Sequence, residues 1–123
     1  MPAPPPDHPT PDDPPGPTLL VDGRPVAPAE VARTRRALRV GLLGRPPSEA
    51  ALVLERTRSV HGIGMSRALD VAQCDADGRI LAVHRLRPGG LVLPRRGVRR
   101  VVEAEAGALA SWGATVGSTL SVR

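Results

Sequence analysis

The chain has 123 residues, of which 41% are hydrophobic, so it holds about one ordinary domain. This length excludes multidomain enzymes, long solenoids and large cofactor-binding folds. It is sufficient for a hydrophobic core that needs no stabilising metal ion or disulfide. The formal net charge is +5, and the one cysteine, Cys74, excludes an internal disulfide. No stretch approaches the ~18 consecutive apolar residues of a membrane span, and the start lacks a secretory signal pattern. These features predict a cytoplasmic protein.

The charge is carried by arginine alone. All 17 basic residues are arginine, and lysine, asparagine, phenylalanine and tyrosine are absent. The absent residues have AT-rich codons and the abundant ones have GC-rich codons, so the composition indicates a GC-rich genome. A basic body can attract nucleic acid. Because codon bias is a competing cause, specific nucleic-acid binding is the less favoured interpretation.

The N-terminal 17 residues differ in composition from the rest. Nine of them are proline, and the charged ones are Asp7, Asp12 and Asp13. Such a segment has few backbone hydrogen-bond donors and few apolar side chains to bury. This composition predicts a disordered, partly polyproline-II tail over residues 1–17. A single folded domain is predicted over residues 18–123.

The first elements of that domain are two extended segments and a helix. Thr18 begins a short strand that ends at the turn Asp22-Gly23, and a second extended segment runs from Pro25 to about Arg33. Thr34 is placed to cap a helix that continues to Leu43. On this helix the side chains of Arg35, Arg36 and Arg39 share one face, which favours a solvated surface over an anion-binding stripe.

Beyond the helix the pattern is mostly that of strands. The turn Ala76-Asp77-Gly78 predicts a hairpin, and Gly107–Trp112 suits a second short helix. Strands outnumber helices and do not alternate with them, which predicts an α+β fold with a curled, mostly antiparallel, partly barrel-like sheet and two short helices. The predicted strands of this part are Ala51–Leu54, Leu69–Asp75, Arg79–Arg87, Val98–Glu105 and Thr119–Val122.

The chain carries an ordered series of motifs between roughly Val31 and Val122. They are Gly41-Leu42-Leu43-Gly44-Arg45, Ser59 to Met65, Leu69-Asp70-Val71-Ala72, Asp75-Ala76-Asp77-Gly78, Leu86-Arg87-Pro88, Arg95-Arg96, Val102-Glu103-Ala104 and Gly113 to Gly117. In this order and spacing the series resembles the domain of unknown function 192 family. The resemblance implies a small α+β, partly barrel-like domain whose biochemical role is not established. Many members have an aromatic-rich stretch where this chain has His61-Gly62-Ile63-Gly64-Met65, so the chain is similar to a histidine-containing subgroup.

Two side chains of the predicted hairpin are candidates for a polar pair. If Asp75 faces Arg79 across the turn, Asp70 lies opposite His84, where the carboxylate could orient the imidazole as a base or metal ligand. A one-residue slip or a bulge would break this match. Structural pairing of Asp70, and burial of His84 beside Ile80, are therefore favoured.

The glycine-rich loop around His61 is the other candidate. Gly62 and Gly64 allow close backbone approach, so their N–H groups could hold an anion, or the loop could simply reverse the chain. With the family-matched Arg45 and Glu103, and with Asp70, this loop could form one polar cleft or an internal ion-pair network.

Three functions remain at this stage. The favoured one is non-catalytic binding of a small anionic ligand or a protein partner at the cleft of Arg45, His61, Gly62, Gly64, Asp70 and Glu103. No cofactor, metal or catalytic residue is assigned. A metal-assisted hydrolase built on His61, Asp70 and His84 is the weakest alternative. The intermediate alternative is sequence-independent nucleic-acid binding through Arg35, Arg36, Arg39, Arg95, Arg96, Arg99 and Arg100.

Overall fold

The computed structural model of the chain describes residues 16–32 and 48–123. These residues form nine strands and one short helix, α1 (Ala108–Ser111). No helix among them is both long and apolar enough to cross a bilayer. The strands are β1 (Thr18–Val21), β2 (Arg24–Ala32), β3 (Ala51–Glu55), β4 (Val60–His61), β5 (Leu69–Cys74), β6 (Ile80–Leu86), β7 (Leu91–Val92), β8 (Arg100–Glu105) and β9 (Leu120–Val122).

Seven strands make one curled sheet in the order β6-β5-β8-β3-β2-β1-β9, and β4 pairs with β7 in a separate two-stranded sheet. Neighbouring strands are antiparallel, except that β2 runs parallel to β3. The two edge strands meet at one end, where the Ile80 N–H donates to the Ser118 carbonyl at 2.8 Å and the Leu120 N–H donates to the Gly78 carbonyl at 2.8 Å. The sheet is not closed into a barrel.

The described fold is mostly β, which corrects the expected α+β class. The strand and hairpin predictions match the observed elements closely, and the Gly107–Trp112 helix is confirmed as α1. The helix predicted over Thr34–Leu43 and the predicted tail up to Pro15 lie outside the described residues. The curled, mostly antiparallel sheet is therefore confirmed, whereas a fold with two helices is not.

Both faces of the central strands are buried, so the sheet has a core on each side. All six residues of β5 are buried. Helix α1 and strands β1 and β9 cover the first core, while the β4–β7 sheet covers the second. The first core contains Leu19, Val53, Ala72, Cys74, Ile80, Val102, Leu109 and Leu120, and the second contains Leu54, Val60, Val71, Leu86, Val92, Val98 and Val101.

A β-bulge between Gln73 and Cys74 sets the register of the hairpin. The turn forms as predicted, because the Asp75 N–H donates to the Arg79 carbonyl at 3.0 Å. Cys74 then faces Ile80, but Gln73 faces Ala82, so one extra residue lies on β6. The bulge moves every later side chain of β6 by one position relative to the predicted pairing.

Candidate functional site

Asp70 does not face His84, as the unbulged register predicted; it faces Arg85. Its Oδ1 accepts a hydrogen bond from Arg85 Nε at 2.9 Å, and its Oδ2 accepts from the N–H groups of Gly107 at 2.9 Å and Leu109 at 3.2 Å. Gly107 has no side chain with which to cap α1, so Asp70 supplies the cap from the neighbouring strand. The Asp70 carboxylate is thus occupied by structural contacts.

His84 faces Val71 and contacts the buried side chain of Gln73. The Gln73 amide nitrogen donates to the carbonyls of Arg58 at 2.9 Å and Leu93 at 2.8 Å. The amide oxygen therefore lies 2.8 Å from His84 Nε2, which must carry the proton of that hydrogen bond. Because of the bulge, Ile80 belongs to the first core, so His84 does not share its face with Ile80.

Burial lowers the pKa of His84, and the nearby charge of Arg95 lowers it further. The imidazole is therefore neutral near pH 7, with its proton on Nε2. The position of Arg95 next to this network also links His84 to the loop that follows β7. Gln73 was not singled out by the sequence, because a glutamine inside a strand carries no local signal that its amide will bridge two loops.

Two described residues of the predicted polar cleft, Asp70 and Glu103, do not lie on the same face of the sheet. Glu103 is 1% exposed in β8, opposite Leu52 and Val71, whereas Asp70 lies opposite Ala104. Neighbouring positions of a strand point to opposite faces, so the two carboxylates are on opposite sides of the sheet. Arg45 lies outside the described residues.

The glycines of the His61 loop serve close packing of two chain segments. The Gly62 N–H donates to the Gly90 carbonyl at 2.8 Å, and the Gly62 carbonyl accepts from the Gly89 N–H at 2.8 Å. A Cβ atom at Gly62 would collide with the Arg87 carbonyl oxygen. Gly64 has a φ of 84°, which reverses the chain beyond β4. The Gly62 N–H is therefore occupied, and this supports the chain-reversal interpretation.

The hydrolase alternative has no geometric support. Within residues 16–32 and 48–123, no three His, Cys, Asp or Glu side chains are grouped so that they could hold a metal ion. Cys74 is buried in the first core, where loss of hydration raises the pKa of its thiol to about 12. It remains a protonated, packed side chain near neutral pH.

Two loops that are distant in sequence form a basic lobe, which comprises residues 56–67 and 87–99. They are joined by the β4–β7 pairing of Val60 with Val92 and of His61 with Leu91, and by the two carbonyl contacts of Gln73. The lobe contains seven arginines and no acidic residue. One of them, Arg67, is paired with Glu105 at 2.6 Å, and the other six are exposed. The exposed arginines are Arg56, Arg58, Arg87, Arg95, Arg96 and Arg99.

Large aliphatic side chains are exposed on the same lobe. Ile63 is 63% exposed, Leu91 64% and Leu93 66%. Val92, which lies between Leu91 and Leu93 in the chain, is by contrast buried in the second core. Sequence analysis did not single out these residues. The signal that was present is the lack of acidic residues in both segments, but nothing in the sequence brings the two segments together.

The arginines predicted to bind nucleic acid are distributed over several places. Arg95, Arg96 and Arg99 lie in the basic lobe, whereas Arg100 pairs with Glu55 at 2.9 Å. The predicted helix carrying Arg35, Arg36 and Arg39 lies outside the described residues.

A cleft of about 280 Å³ lies between β6 and the segment from Gly107 to Thr115. Asp70 and Arg85 line it, and their charges cancel. The remaining lining is mostly apolar and includes Val83, Leu109, Ala110 and Ala114. The cleft therefore lacks the net positive charge that a small anionic ligand would require.

Known proteins resemble this chain in sequence pattern and in fold. The family model for DUF192, described as an uncharacterized ACR, matches residues 18–122. No curated protein matches. A solved protein of unknown function from Novosphingobium aromaticivorans DSM 12444 has 22% identity and a TM-score of 0.70, covering 85% of this chain and 83% of its own. A second, provisionally described as a transcription regulator, from Sinorhizobium meliloti 1021, has 21% identity and a TM-score of 0.69, covering 87% and 94%. These two similarities support the fold alone.

Proposed function

This chain belongs to the DUF192 family, and we propose that it is a non-catalytic binding protein whose basic lobe holds an acidic segment of a protein partner. The observation that carries the proposal is the placement of exposed aliphatic side chains among exposed arginines on two loops that contain no acidic residue.

Because the lobe is positively charged, the partner segment must be negatively charged. Six exposed arginines on one end of a small domain create a local positive field that attracts an acidic segment and orients it on approach. Two acidic residues border the lobe, and both are already paired: Glu105 with Arg67 at 2.6 Å, and Glu55 with Arg100 at 2.9 Å. Arg58 is held in place because its Nη2 donates to the Arg95 carbonyl at 3.4 Å.

The exposed aliphatic side chains of the lobe indicate that the partner segment also carries apolar side chains. Clustered exposed apolar residues with a polar rim are typical of a protein interface. Leu91 pairs with His61 in the β4–β7 sheet, and Leu93, which follows β7 directly, has its carbonyl hydrogen-bonded by the Gln73 amide at 2.8 Å. A rigid backbone lowers the entropic cost of binding. An acidic segment with leucine-like side chains therefore fits this surface better than a purely charged polymer does.

Nucleic acid is the second candidate, since phosphates need only the arginines. The observation that favours it is the presence of Arg95, Arg96 and Arg99 on one loop. The chain has one aromatic residue, Trp112, which packs against the first core, so base stacking on the lobe has no platform. The description of one structural relative as a transcription regulator raises the same possibility for this chain.

The test measures binding of a fluorescent peptide of alternating Glu and Leu by anisotropy. A peptide with Ser in place of each Leu, and a short DNA duplex, are the comparison probes. The double variant Arg95→Gln/Arg96→Gln removes charge, and Leu91→Ser/Leu93→Ser removes the aliphatic surface. The matched control, Arg79→Gln/Arg123→Gln, removes two exposed charges outside the lobe.

We expect each lobe variant to weaken binding of the Glu–Leu peptide by about threefold to tenfold, and the control to leave it unchanged. Tighter binding of the duplex, with a steep dependence on salt and no effect of Leu91→Ser/Leu93→Ser, would favour the nucleic-acid function instead. Equal binding by the control and the lobe variants would reject the lobe as the binding surface.

A further inference from the structure

Strand β6 is an edge of the seven-stranded sheet, and only its first residues are covered on the outer side. The Ile80 N–H donates to the Ser118 carbonyl at 2.8 Å, and the Ile80 carbonyl accepts from the Gly117 N–H at 2.9 Å. Beyond Ile80, β6 has no strand on this side among residues 16–32 and 48–123. The edge therefore offers backbone groups to an added strand.

The strand register shows which residues of β6 direct their backbone N–H and C=O groups to the open side. The Cys74 carbonyl accepts from the Arg99 N–H at 2.8 Å, so Cys74 turns its backbone groups towards β8. Antiparallel strands alternate in this respect, so Ala72 and Asp70 also turn towards β8. Their partners Val83 and Arg85 consequently direct their N–H and C=O groups away from β5, to the open side. Two residues spaced as in a strand ladder thus form a docking edge.

The 280 Å³ cleft opens beside these residues on the face that carries the side chains of Val83 and Arg85. Its far wall is α1, which Asp70 holds to the sheet through the N–H groups of Gly107 and Leu109. Val83 is 40% exposed at the mouth. The cleft is large enough to hold one aliphatic side chain.

We propose that the β6 edge receives an extended peptide segment, with an aliphatic side chain in the cleft and an acidic side chain two positions away. A residue paired with Val83 on an added strand shares its face and enters the cleft. The residue paired with Arg85 lies two positions along the same strand and meets the guanidinium, whose side chain is 54% exposed. Backbone pairing supplies the affinity of such strand addition, and the two side chains supply the specificity.

Arg87 favours a carboxylate at the second position, because it is exposed two residues beyond Arg85 and adds a positive charge that Asp70 does not offset. Arg85 contacts Asp70 through Nε, and its side chain is 54% exposed. This site shares Arg87 with the basic lobe, whereas Val83, Arg85 and the cleft lie outside that lobe, and strand addition at β6 does not depend on the function proposed for it.

The experiment follows backbone amides by NMR while a blocked peptide is titrated. The probes are Thr-Val-Thr-Glu-Thr and its reverse, Thr-Glu-Thr-Val-Thr, because the added strand can run in either direction. The comparison probe is Thr-Asn-Thr-Lys-Thr. Val83→Pro removes an outward N–H that β5 does not use, which an edge strand tolerates, and Val83→Thr retains it. Ala110→Leu fills the cleft from an exposed helix position and serves as a second, independent disruption.

We expect saturable shifts and slowed hydrogen exchange at the amides of Val83 and Arg85 with one of the Val–Glu peptides. Val83→Pro and Ala110→Leu should abolish them, and Val83→Thr should retain them. Equal binding by the lysine peptide, unchanged binding in both disrupted variants, or no saturable shift at these amides would overturn the proposal.

Discussion

Gln73 Oε1 and His84 Nε2 are 2.8 Å apart, and this contact joins the sheet to the basic lobe. The same glutamine donates to the carbonyls of Arg58 and Leu93, one on each loop of the lobe. The three hydrogen bonds of this buried amide thus hold the two loops of the lobe against β5 and β6. The lobe is rigid at its base, although its arginines and aliphatic side chains are exposed.

Replacement of Gln73 by Leu is expected to lower the free energy of unfolding by about 2–4 kcal/mol, because the carbonyls of Arg58 and Leu93 and the Nε2 of His84 lose their hydrogen-bond partner. Urea unfolding measures the loss. Hydrogen exchange should speed up first in residues 57–61 and 91–94. His84→Gln, which can keep a donor near Gln73, should cost less. Equal stability of Gln73→Leu and the parent protein would contradict the structural role of this amide.

Replacement of Asp70 by Ala is expected to lower the free energy of unfolding by about 2–3 kcal/mol, since Gly107, Leu109 and Arg85 lose their acceptor. Asp70→Asn keeps an acceptor for the helix N–H groups and should lose less. Thermal or urea unfolding distinguishes the two. If Asp70→Ala and Asp70→Asn were equally stable, the cap would not be the main role of this carboxylate.

His84 should give a pH dependence of defined sign. Burial, and then Arg95, lower the pKa of His84 below its ordinary value of 6.5. Between these two pKa values the unfolded chain binds more protons than the folded one, so the free energy of unfolding rises with pH. This contribution is complete above the unfolded pKa and is lost as pH falls towards the folded one.

NMR titration of the His84 ring protons measures this pKa directly. Arg95→Gln should raise the pKa of His84, because it removes a nearby positive charge, while Arg79→Gln on the hairpin turn should leave it unchanged. A His84 pKa at or above the ordinary value would contradict the burial of the ring and its contact with the Arg95 charge.

Gly62→Ala is expected to destabilise the lobe by about 1–3 kcal/mol, because the added Cβ meets the Arg87 carbonyl. The φ of Gly62 is outside the left-handed region, so the cost is steric. Thermal unfolding and binding of the Glu–Leu peptide should both weaken. Ser66→Ala, at an exposed position of the same loop, should change neither. A fully stable Gly62→Ala variant would show that the two loops can separate without cost.

Local signals predicted most elements, and long-range pairing accounts for the rest. The turn at Asp75 to Gly78 was visible because glycine and aspartate favour it, and the observed Asp75–Arg79 contact confirms it. The bulge at Gln73 has no such signature in the local sequence. For that reason Asp70 was paired with the wrong partner. The parallel pairing of β2 with β3 was likewise invisible, because nothing local encodes which strands become neighbours.

The candidate site was predicted less well than the fold. Charged residues such as Asp70 and Glu103 attract attention in a sequence, yet both are buried in the sheet, on opposite faces. No local pattern in the sequence indicates the exposure of Leu91 and Leu93, which only the folded structure shows. Three of the arginines predicted to bind nucleic acid do lie on the basic lobe. Their function there remains a proposal.

The first strand of the sheet pairs with the last. The Thr18 N–H donates to the Arg123 carbonyl at 3.2 Å, and the Arg123 N–H donates to the Thr18 carbonyl at 2.9 Å. During synthesis β1 therefore emerges from the ribosome long before its partner β9 exists, and one of its edges stays open until then. Contacts between such distant segments close large loops, which slows folding and exposes unpaired strands to aggregation. A circular permutant that joins residue 123 to residue 18 through a short linker would make this contact local, and it should refold faster than the natural order of strands.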